Sequence, residues 1–216
     1  MARYCFICCV VNIGDADKVL EAAQRYGASD GFISIGKGTA HSRILEFFKL
    51  NEIRKEIVTV LVKGERAAEA IRGISEEMAF DKPHHGIAFS YAVDECIDGS
   101  EGTGENTTVS EVQTSMYKAI YVVVDRGRAE EVIEAANKAG ARGGTIVNAR
   151  GSGVHEAQKL FSIEISPEKE KVFIIAKNEM KDNIVSSIRT HLEIDTPGNG
   201  IIAVVDINEV YGLHQG

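Results

Sequence analysis

The sequence predicts an α+β protein made of two tandem copies of one βαββαβ unit. Two observations lead to this fold class. Residues 4–28 and 117–141 align without gaps and are identical at 12 of 25 positions, where average composition gives about one or two by chance. Each copy then repeats the same order of strand-like and helix-like patterns. With both helices on one face of the sheet, this order is that of the ferredoxin-like fold.

The elements follow in the same order in both copies. The predicted strands are 5–11, 31–36, 56–62 and 86–93 in the first copy, and 119–124, 144–150, 171–177 and 200–207 in the second. Apolar residues at helical spacing predict one helix after the first strand and another after the third. Gly27 and Gly140 stand where the C-cap of the earlier helix belongs. A connection of about twenty polar residues separates the second and third strands, although antiparallel neighbours usually need two to five.

The repeat also predicts the domain boundaries. A one-residue gap near residue 40 extends the alignment, pairing His41 with His155, Phe47 with Phe161, Lys55 with Lys169 and Gly86 with Gly200. The copies are therefore predicted at 1–96 and 116–216. Residues 97–115 between them contain four acidic residues and no Lys or Arg, a composition typical of a flexible linker with a mean span of roughly 25 Å.

Composition excludes several classes of protein. The 216 residues are 44% hydrophobic and 26% charged, as in soluble globular proteins. The formal net charge of −8 argues against a nucleic-acid partner, because such domains carry a basic surface. No apolar run approaches the roughly 20 residues of a membrane-spanning helix.

The cysteines indicate a reducing compartment, and we expect a cytoplasmic protein. Cys5, Cys8 and Cys9 lie in one apolar strand, with Cys96 elsewhere, which favours buried thiols over a disulfide framework. A Cys-x-x-Cys-Cys metal or redox site is the alternative, but strand alternation places Cys8 and Cys9 on opposite faces.

Residues 143–161, "GGTIVNARGSGVHEAQKLF", end the second strand of the second copy and begin its long connection. Long ordered loops tend to be functional. The repeated element order, the "ARGSG" and "GKGT" segments at the base of this connection and the ending "TPGNGIIAVVDINEV" resemble the nitrogen regulatory P-II family. The resemblance implies a non-enzymatic, trimeric signal-transduction protein of nitrogen metabolism. Such a protein binds adenine nucleotides in clefts between domains, senses 2-oxoglutarate, and docks its long loop on a transporter or metabolic enzyme.

The resemblance also implies site residues, because glycines without side chains let backbone N–H groups approach a phosphate. The effector-binding residues that it implies are Arg150, Gly151, Ser152, Gly153, His155, Gly198, Asn199 and Gly200 in the second copy, and Lys37, Gly38, Thr39, His41 and Gly86 in the first. Phe161, Lys169, Phe47 and Lys55 are expected to contact the partner. We expect no resident cofactor and an assembly of three tandem chains.

The sequence departs from the family's pattern at several positions, and two of them bear directly on the ligand. Ile201 and Ile87 stand where the family has a phosphate-binding lysine, which favours AMP or ADP over ATP. His155 and His41 stand where the family has the glutamine that contacts metal and 2-oxoglutarate, which makes that ligand doubtful.

Two other functions remain open. One is a metal-binding or structural oligomer resembling the divalent-cation tolerance proteins, although His84 and His85 favour a turn rather than a metal site. The other is a nucleotide hydrolase with His155 as acid or base, although no catalytic constellation accompanies it. The glycine pairs also have a plain interpretation as turns.

Overall fold

The structure is a computed structural model and describes residues 4–28, 30–39, 53–93, 116–151, 158–160, 163–165 and 168–213. These residues form two compact units. The first unit takes its residues from 1–34, 55–117 and 206–216, and the second from 35–54 and 118–205. The predicted linker at 97–115 lies outside the described residues, and the predicted domain boundaries stay a prediction.

The first unit has one antiparallel sheet and two helices. Its elements are β1 Tyr4–Asn12, α1 Ala16–Arg25, β2 Asp30–Gly38, β3 Ile53–Lys63, a 3-10 turn Gly64–Arg66, α2 Ala67–Glu77 and β4 Gly86–Val93. The strand order is β2-β3-β1-β4, with β1 antiparallel to both β3 and β4. This order confirms the predicted ferredoxin-like arrangement.

The core of the first unit lies between its two helices and one face of its sheet. Val19 and Ala22 of α1 and Ile74 of α2 are fully buried against β1 residues such as Ile7 and Cys9. These helical residues recur at the spacing that predicted the helices. Cys8, in contrast, is buried but does not belong to this cluster, as strand alternation predicts for the residue next to Cys9.

The second unit repeats the arrangement. Its elements are β5 Tyr117–Asp125, α3 Ala129–Lys138, β6 Thr145–Arg150, β7 Gln158–Leu160, β8 Ile163–Ile165, β9 Glu168–Lys177, α4 Asn178–His191 and β10 Ile201–Asp206. The strand order is β10-β5-β9-β6. Val132 and Ala136 of α3 and Ile184 of α4 pack on Ile120 and Val122 of β5. The short strands β7 and β8 pair with each other within the connection between β6 and β9.

Each unit also includes a segment from the other half of the sequence. Residues 35–38 at the end of β2 belong to the second unit and pair with β6, with Gly36 opposite Val147 and Gly38 opposite Thr145. Strand β11, Glu209–Tyr211, pairs with β4 of the first unit. Neither pairing was predicted from the sequence. The second strand was expected to end at residue 36, and no strand was expected after residue 207.

Backbone geometry confirms the predicted helix ends. Gly27 and Gly140 have φ values of 87° and 96°, in the left-handed region that glycine adopts readily. The N–H of Ala28 donates to the carbonyl of Ala23, and the N–H of Ala141 to that of Ala136, as in a Schellman cap. Among the described residues no helix is long and apolar enough to cross a membrane.

Candidate functional site

At one side of the second unit's sheet, strands β5 and β6 end and strands β9 and β10 begin. Arg150, the last residue of β6, lies opposite Glu168, the first residue of β9. The ammonium group of Lys169 forms an ion pair with Asp125, the last residue of β5. Gly200 directly precedes β10, the neighbour of β5. We call this surface the loop edge; it comprises residues 125–127, 150–151, 168–170 and 198–200.

The loop edge brings together two groups of predicted site residues. Arg150 and Gly151 lie at one side, and Gly198, Asn199 and Gly200 at the other. Strands β9 and β5 lie between them, so the two groups are about 14 Å apart at the usual spacing of neighbouring strands. They could therefore contact opposite ends of one extended ligand.

Most charges at the loop edge are paired. Arg126 forms an ion pair with Glu168, and this contact, followed by the charges of Arg126 and Arg150, lowers the pKa of Glu168. Lys169 is paired with Asp125, and its side chain is only 11% exposed. Among the described residues Arg150 is exposed and has no ion pair of its own. Arg150 is thus the cation best placed to meet a ligand.

Glu170 holds the turn between β5 and α3. One of its carboxylate oxygens accepts hydrogen bonds from the N–H groups of Gly127 at 3.0 Å and Ala129 at 2.9 Å. The Ala129 N–H is one of the groups that the start of a helix leaves without partners, and the Gly127 N–H belongs to the turn just before it. A negative charge at this end of a helix is favourable. The carboxylate of Glu170 therefore stabilises α3 and is not available to a ligand.

The turn before β10 depends on glycine for conformation and space. Gly198 and Gly200 have φ values of 96° and 137°. A Cβ on Gly200 would lie 2.5 Å from the carbonyl oxygen of Val123. The Asn199 amide donates to the carbonyls of Leu192 and Glu193 at 3.3 and 3.0 Å. These contacts support the interpretation of this glycine pair as a turn. Effector binding by the same residues stays a prediction.

In the first unit, Gly86 occupies the same position and meets the same constraint. A Cβ there would lie 2.7 Å from the carbonyl oxygen of Val10. The preceding His84 has a φ of 66° and His85 Nδ1 lies 3.3 Å from the carbonyl oxygen of Met78. Both histidines take part in a turn, and no group of three or more potential metal ligands occurs in the described part of the chain.

Three of the site residues predicted in the first copy do not lie at the loop edge. Lys37, Gly38 and Thr39 follow the extended course of β2 alongside β6 in the second unit. The Thr39 hydroxyl donates to the Gly144 carbonyl at 3.1 Å and accepts from the Gly144 N–H at 3.0 Å. They are therefore placed beside Thr145, at the opposite end of β6 from Arg150.

Lys55 and Lys169, which were expected to contact a protein partner, each contact a side chain of their own unit. Lys55 donates to Asn12 Oδ1 at 2.6 Å, in the position that Lys169 and Asp125 occupy in the second unit. Ser152, Gly153, His155, Phe161, His41 and Phe47 lie outside the residues whose side chains are described. Their roles, like those of all the predicted site residues, stay predictions.

The sequence-based prediction did not identify Glu56 and Glu170. Glu56 accepts from Gly14 N and Ala16 N at 2.9 and 3.0 Å, repeating the contacts of Glu170. The signal was present as the Lys-Glu pair at 55–56 and again at 169–170. A charged pair at the start of a strand does not by itself reveal that one carboxylate reaches a helix.

Residues 117–216 match the sequence model of the family "Nitrogen regulatory protein P-II", which confirms the P-II resemblance for the second copy. Two solved structures are similar. PII from Arabidopsis thaliana, bound to citrate, is 23% identical, with 44% of this chain and 79% of that chain covered and a TM-score of 0.35. GlnK from B. subtilis is 22% identical, with 44% and 87% covered and the same TM-score. No curated protein matches the chain.

Proposed function

We propose that the chain is a P-II-like regulatory protein that binds a small anionic effector at the loop edge of its second unit. The observation that carries this proposal is the convergence of Arg150, Gly151 and Gly198–Gly200 on one edge of one sheet. The family match of residues 117–216 supports a regulatory role. The connection between β6 and β9 would then be presented to a protein partner, such as a transporter or an enzyme of nitrogen metabolism.

Charge at the loop edge favours an effector with few negative charges. Arg126 and Lys169 are each held by a carboxylate, which leaves the Arg150 guanidinium to meet a phosphate. One guanidinium and nearby backbone N–H groups suit AMP or ADP better than the triphosphate of ATP. Ile201, which follows Gly200 and is 63% exposed, offers an apolar surface in place of a second cation.

Regulation needs only that the effector binds two states of the loop with different affinities. A difference of about 1–3 kcal/mol between those states changes partner affinity by roughly 5- to 150-fold. The partner must raise effector affinity by the same factor. We further propose that the chain is a homo-oligomer, as the P-II resemblance implies.

Isothermal titration of AMP, ADP, ATP and 2-oxoglutarate tests the binding proposal. We expect at least one nucleotide to bind the wild-type chain. Arg150→Ala should weaken that binding about 10- to 100-fold, since a charge-assisted hydrogen bond contributes about 1.5–3 kcal/mol.

Arg142→Ala is the matched control. Arg142 is an exposed arginine just before β6, at the end opposite Arg150, and its loss should leave binding unchanged. Failure of all four compounds to bind at millimolar concentration would contradict the sensing role. Multiple turnover of a nucleotide during the titration would contradict a non-enzymatic function.

A further inference from the structure

One carboxylate at the loop edge lies between two arginines. Strand β9, which begins with Glu168, runs between β5 and β6. Arg150 at the end of β6 lies directly opposite Glu168, and residues in this relation extend from the same face of a sheet. On the other side, Arg126 follows β5 and forms an ion pair with Glu168. The contact with Arg126 lowers the pKa of Glu168 most, and the charge of Arg150 adds to this effect.

The first copy has the same fold without this ion pair. The alignment places Ile13 at the position of Arg126 and Arg54 at that of Glu168, so neither member of the pair is present there. The first unit nevertheless has the equivalent order of its four strands. The ion pair is also exposed, with side-chain exposures of 66% for Arg126 and 49% for Glu168, and such pairs add little stability. The fold therefore does not explain why Glu168 lies between two arginines.

The ion pair can open without disturbing the sheet. The N–H of Arg126 donates to the main-chain carbonyl of Glu168 at 3.1 Å, and this bond involves neither side chain. Glu170, two residues further along β9, is held separately by the N–H groups of Gly127 and Ala129. Rotation of the Glu168 side chain would therefore free the Arg126 guanidinium and leave β9 and the start of α3 in place.

We propose that Glu168 sets the specificity of the effector site by competing with the effector's phosphates for Arg126. This inference rests on the effector site proposed above at the loop edge. A single phosphate can bind Arg150 while Glu168 stays on Arg126. A second or third phosphate reaches the Arg126 guanidinium only by displacing the Glu168 carboxylate. The ion pair therefore disfavours ADP and ATP relative to AMP.

Glu168→Gln tests the competition, because it removes the competing charge and keeps the shape of the side chain. Isothermal titration of AMP, ADP and ATP measures the result. We expect the affinity for ATP relative to AMP to rise about two- to five-fold, which corresponds to the strength of an exposed ion pair. A purely structural role of Glu168 would change all three affinities alike. An unchanged ratio in a chain that still binds nucleotide would overturn this proposal and leave the effector site standing.

Two further variants separate the ion pair from charge in general. Glu77→Gln is the matched control, because Glu77 also forms an exposed ion pair with an arginine, Arg25 of the first unit. It should leave the ratio of ATP to AMP affinity unchanged. The double variant Arg126→Gln/Glu168→Gln loses the cation together with its competitor, so its ratio should not rise above the wild-type value. A double variant with the full gain of Glu168→Gln would show that the added phosphates do not contact Arg126, and would overturn the proposal.

Inorganic pyrophosphate tests the competition without a nucleotide. It carries two phosphates and neither a base nor a sugar, and NMR signals of the arginine Nε–H groups report its binding. We expect pyrophosphate to shift the Arg126 signal at a lower concentration in Glu168→Gln than in the wild-type chain. The same response in both chains, or none in either, would overturn the competition. If pyrophosphate behaves as expected but no nucleotide binds, the competition stands and nucleotides are excluded as the effector.

Discussion

Asn12 and Asp125 are equivalent residues that give two equivalent lysines different electrostatic surroundings. Lys169 meets the carboxylate of Asp125, whereas Lys55 meets only the neutral amide of Asn12 at 2.6 Å. Burial lowers the pKa of Lys55, and the charge of Asp15 opposes this effect only in part. The two copies thus differ electrostatically at Asn12 and Asp125, and also at Asp15, whose equivalent is Arg128.

Asn12→Asp should raise the pKa of Lys55, because it supplies the carboxylate that Lys169 already has. In the wild-type chain the folded pKa lies below the unfolded value of about 10.5. The unfolded chain therefore binds more protons between these two values, and stability rises with pH through that window. Asn12→Asp should reduce this rise. NMR titration of the Lys55 side chain and urea unfolding at alkaline pH measure both effects.

Asn12→Ala provides the control for that substitution. It removes the amide without adding a charge, so it should not raise the pKa of Lys55. An unchanged Lys55 pKa in Asn12→Asp would show that the two side chains do not share the geometry of Lys169 and Asp125.

At the scale of elements, the start of α3 depends on a residue about forty positions away. Glu170 accepts one hydrogen bond from Ala129, the first residue of this helix, and one from Gly127 in the turn before it. Glu170→Gln keeps the shape of the side chain but removes its charge. We expect it to lower the free energy of unfolding by about 0.5–2 kcal/mol, as measured for lost helix caps, and urea denaturation measures the change.

Glu168→Gln is the control on the same strand. Glu168 pairs with Arg126 at an exposed site, with side-chain exposures of 49% and 66%, and exposed ion pairs contribute only about 0–1 kcal/mol. It should therefore destabilise the chain less than Glu170→Gln. Glu56→Gln should repeat the larger effect in the first unit, and equal effects at all three positions would contradict the capping role.

Sequence patterns predicted the elements whose causes are local. The periodicity of Val19, Ala22 and Ala23 gave α1, and Gly27 gave its end, because both signals lie within a few residues of the structure they determine. Strand β11 and the extension of β2 through Gly38 were missed, because both depend on distant partner strands. In addition, β11 is only three residues long, and Lys37 and Gly38 have little strand propensity. The contact between Glu170 and the start of α3 was missed for the same reason, since the two lie about forty residues apart in the sequence.

At the scale of the whole molecule, the repeat predicted the fold of both copies, but not which residues each unit contains. The loop edge was predicted in part. Arg150, Gly151 and Gly198–Gly200 do share one edge, whereas Lys37–Thr39 lie along β6. That placement follows from a strand pairing between residues more than a hundred positions apart, for which one sequence carries no local signal.

Truncation after residue 205 should destabilise the first unit more than the second. It removes Ile207, which is 1% exposed, and the bond from the Asn208 N–H to the Ser90 carbonyl at 2.8 Å. It also removes β11 from β4. We expect a loss of about 2–5 kcal/mol, the range for deleting a buried aliphatic side chain, and faster hydrogen exchange at residues 88–90.

Truncation after residue 213 is the matched control, because it retains β11 and should leave exchange at 88–90 unchanged. If the longer truncation instead loosened both units equally, residues 206–213 would stabilise the chain as a whole and not the first unit in particular.

Because β11 belongs to the first unit and the end of β2 to the second, the two halves of the gene depend on each other. A duplicated domain is ordinarily dispensable, because either half can be deleted while the other still folds. Here a gene encoding only the first half would lack β11, and one encoding only the second would lack the end of β2. Neither half of the sequence supplies every strand of one unit, so we expect that deleting either half would leave the other unable to complete its sheet.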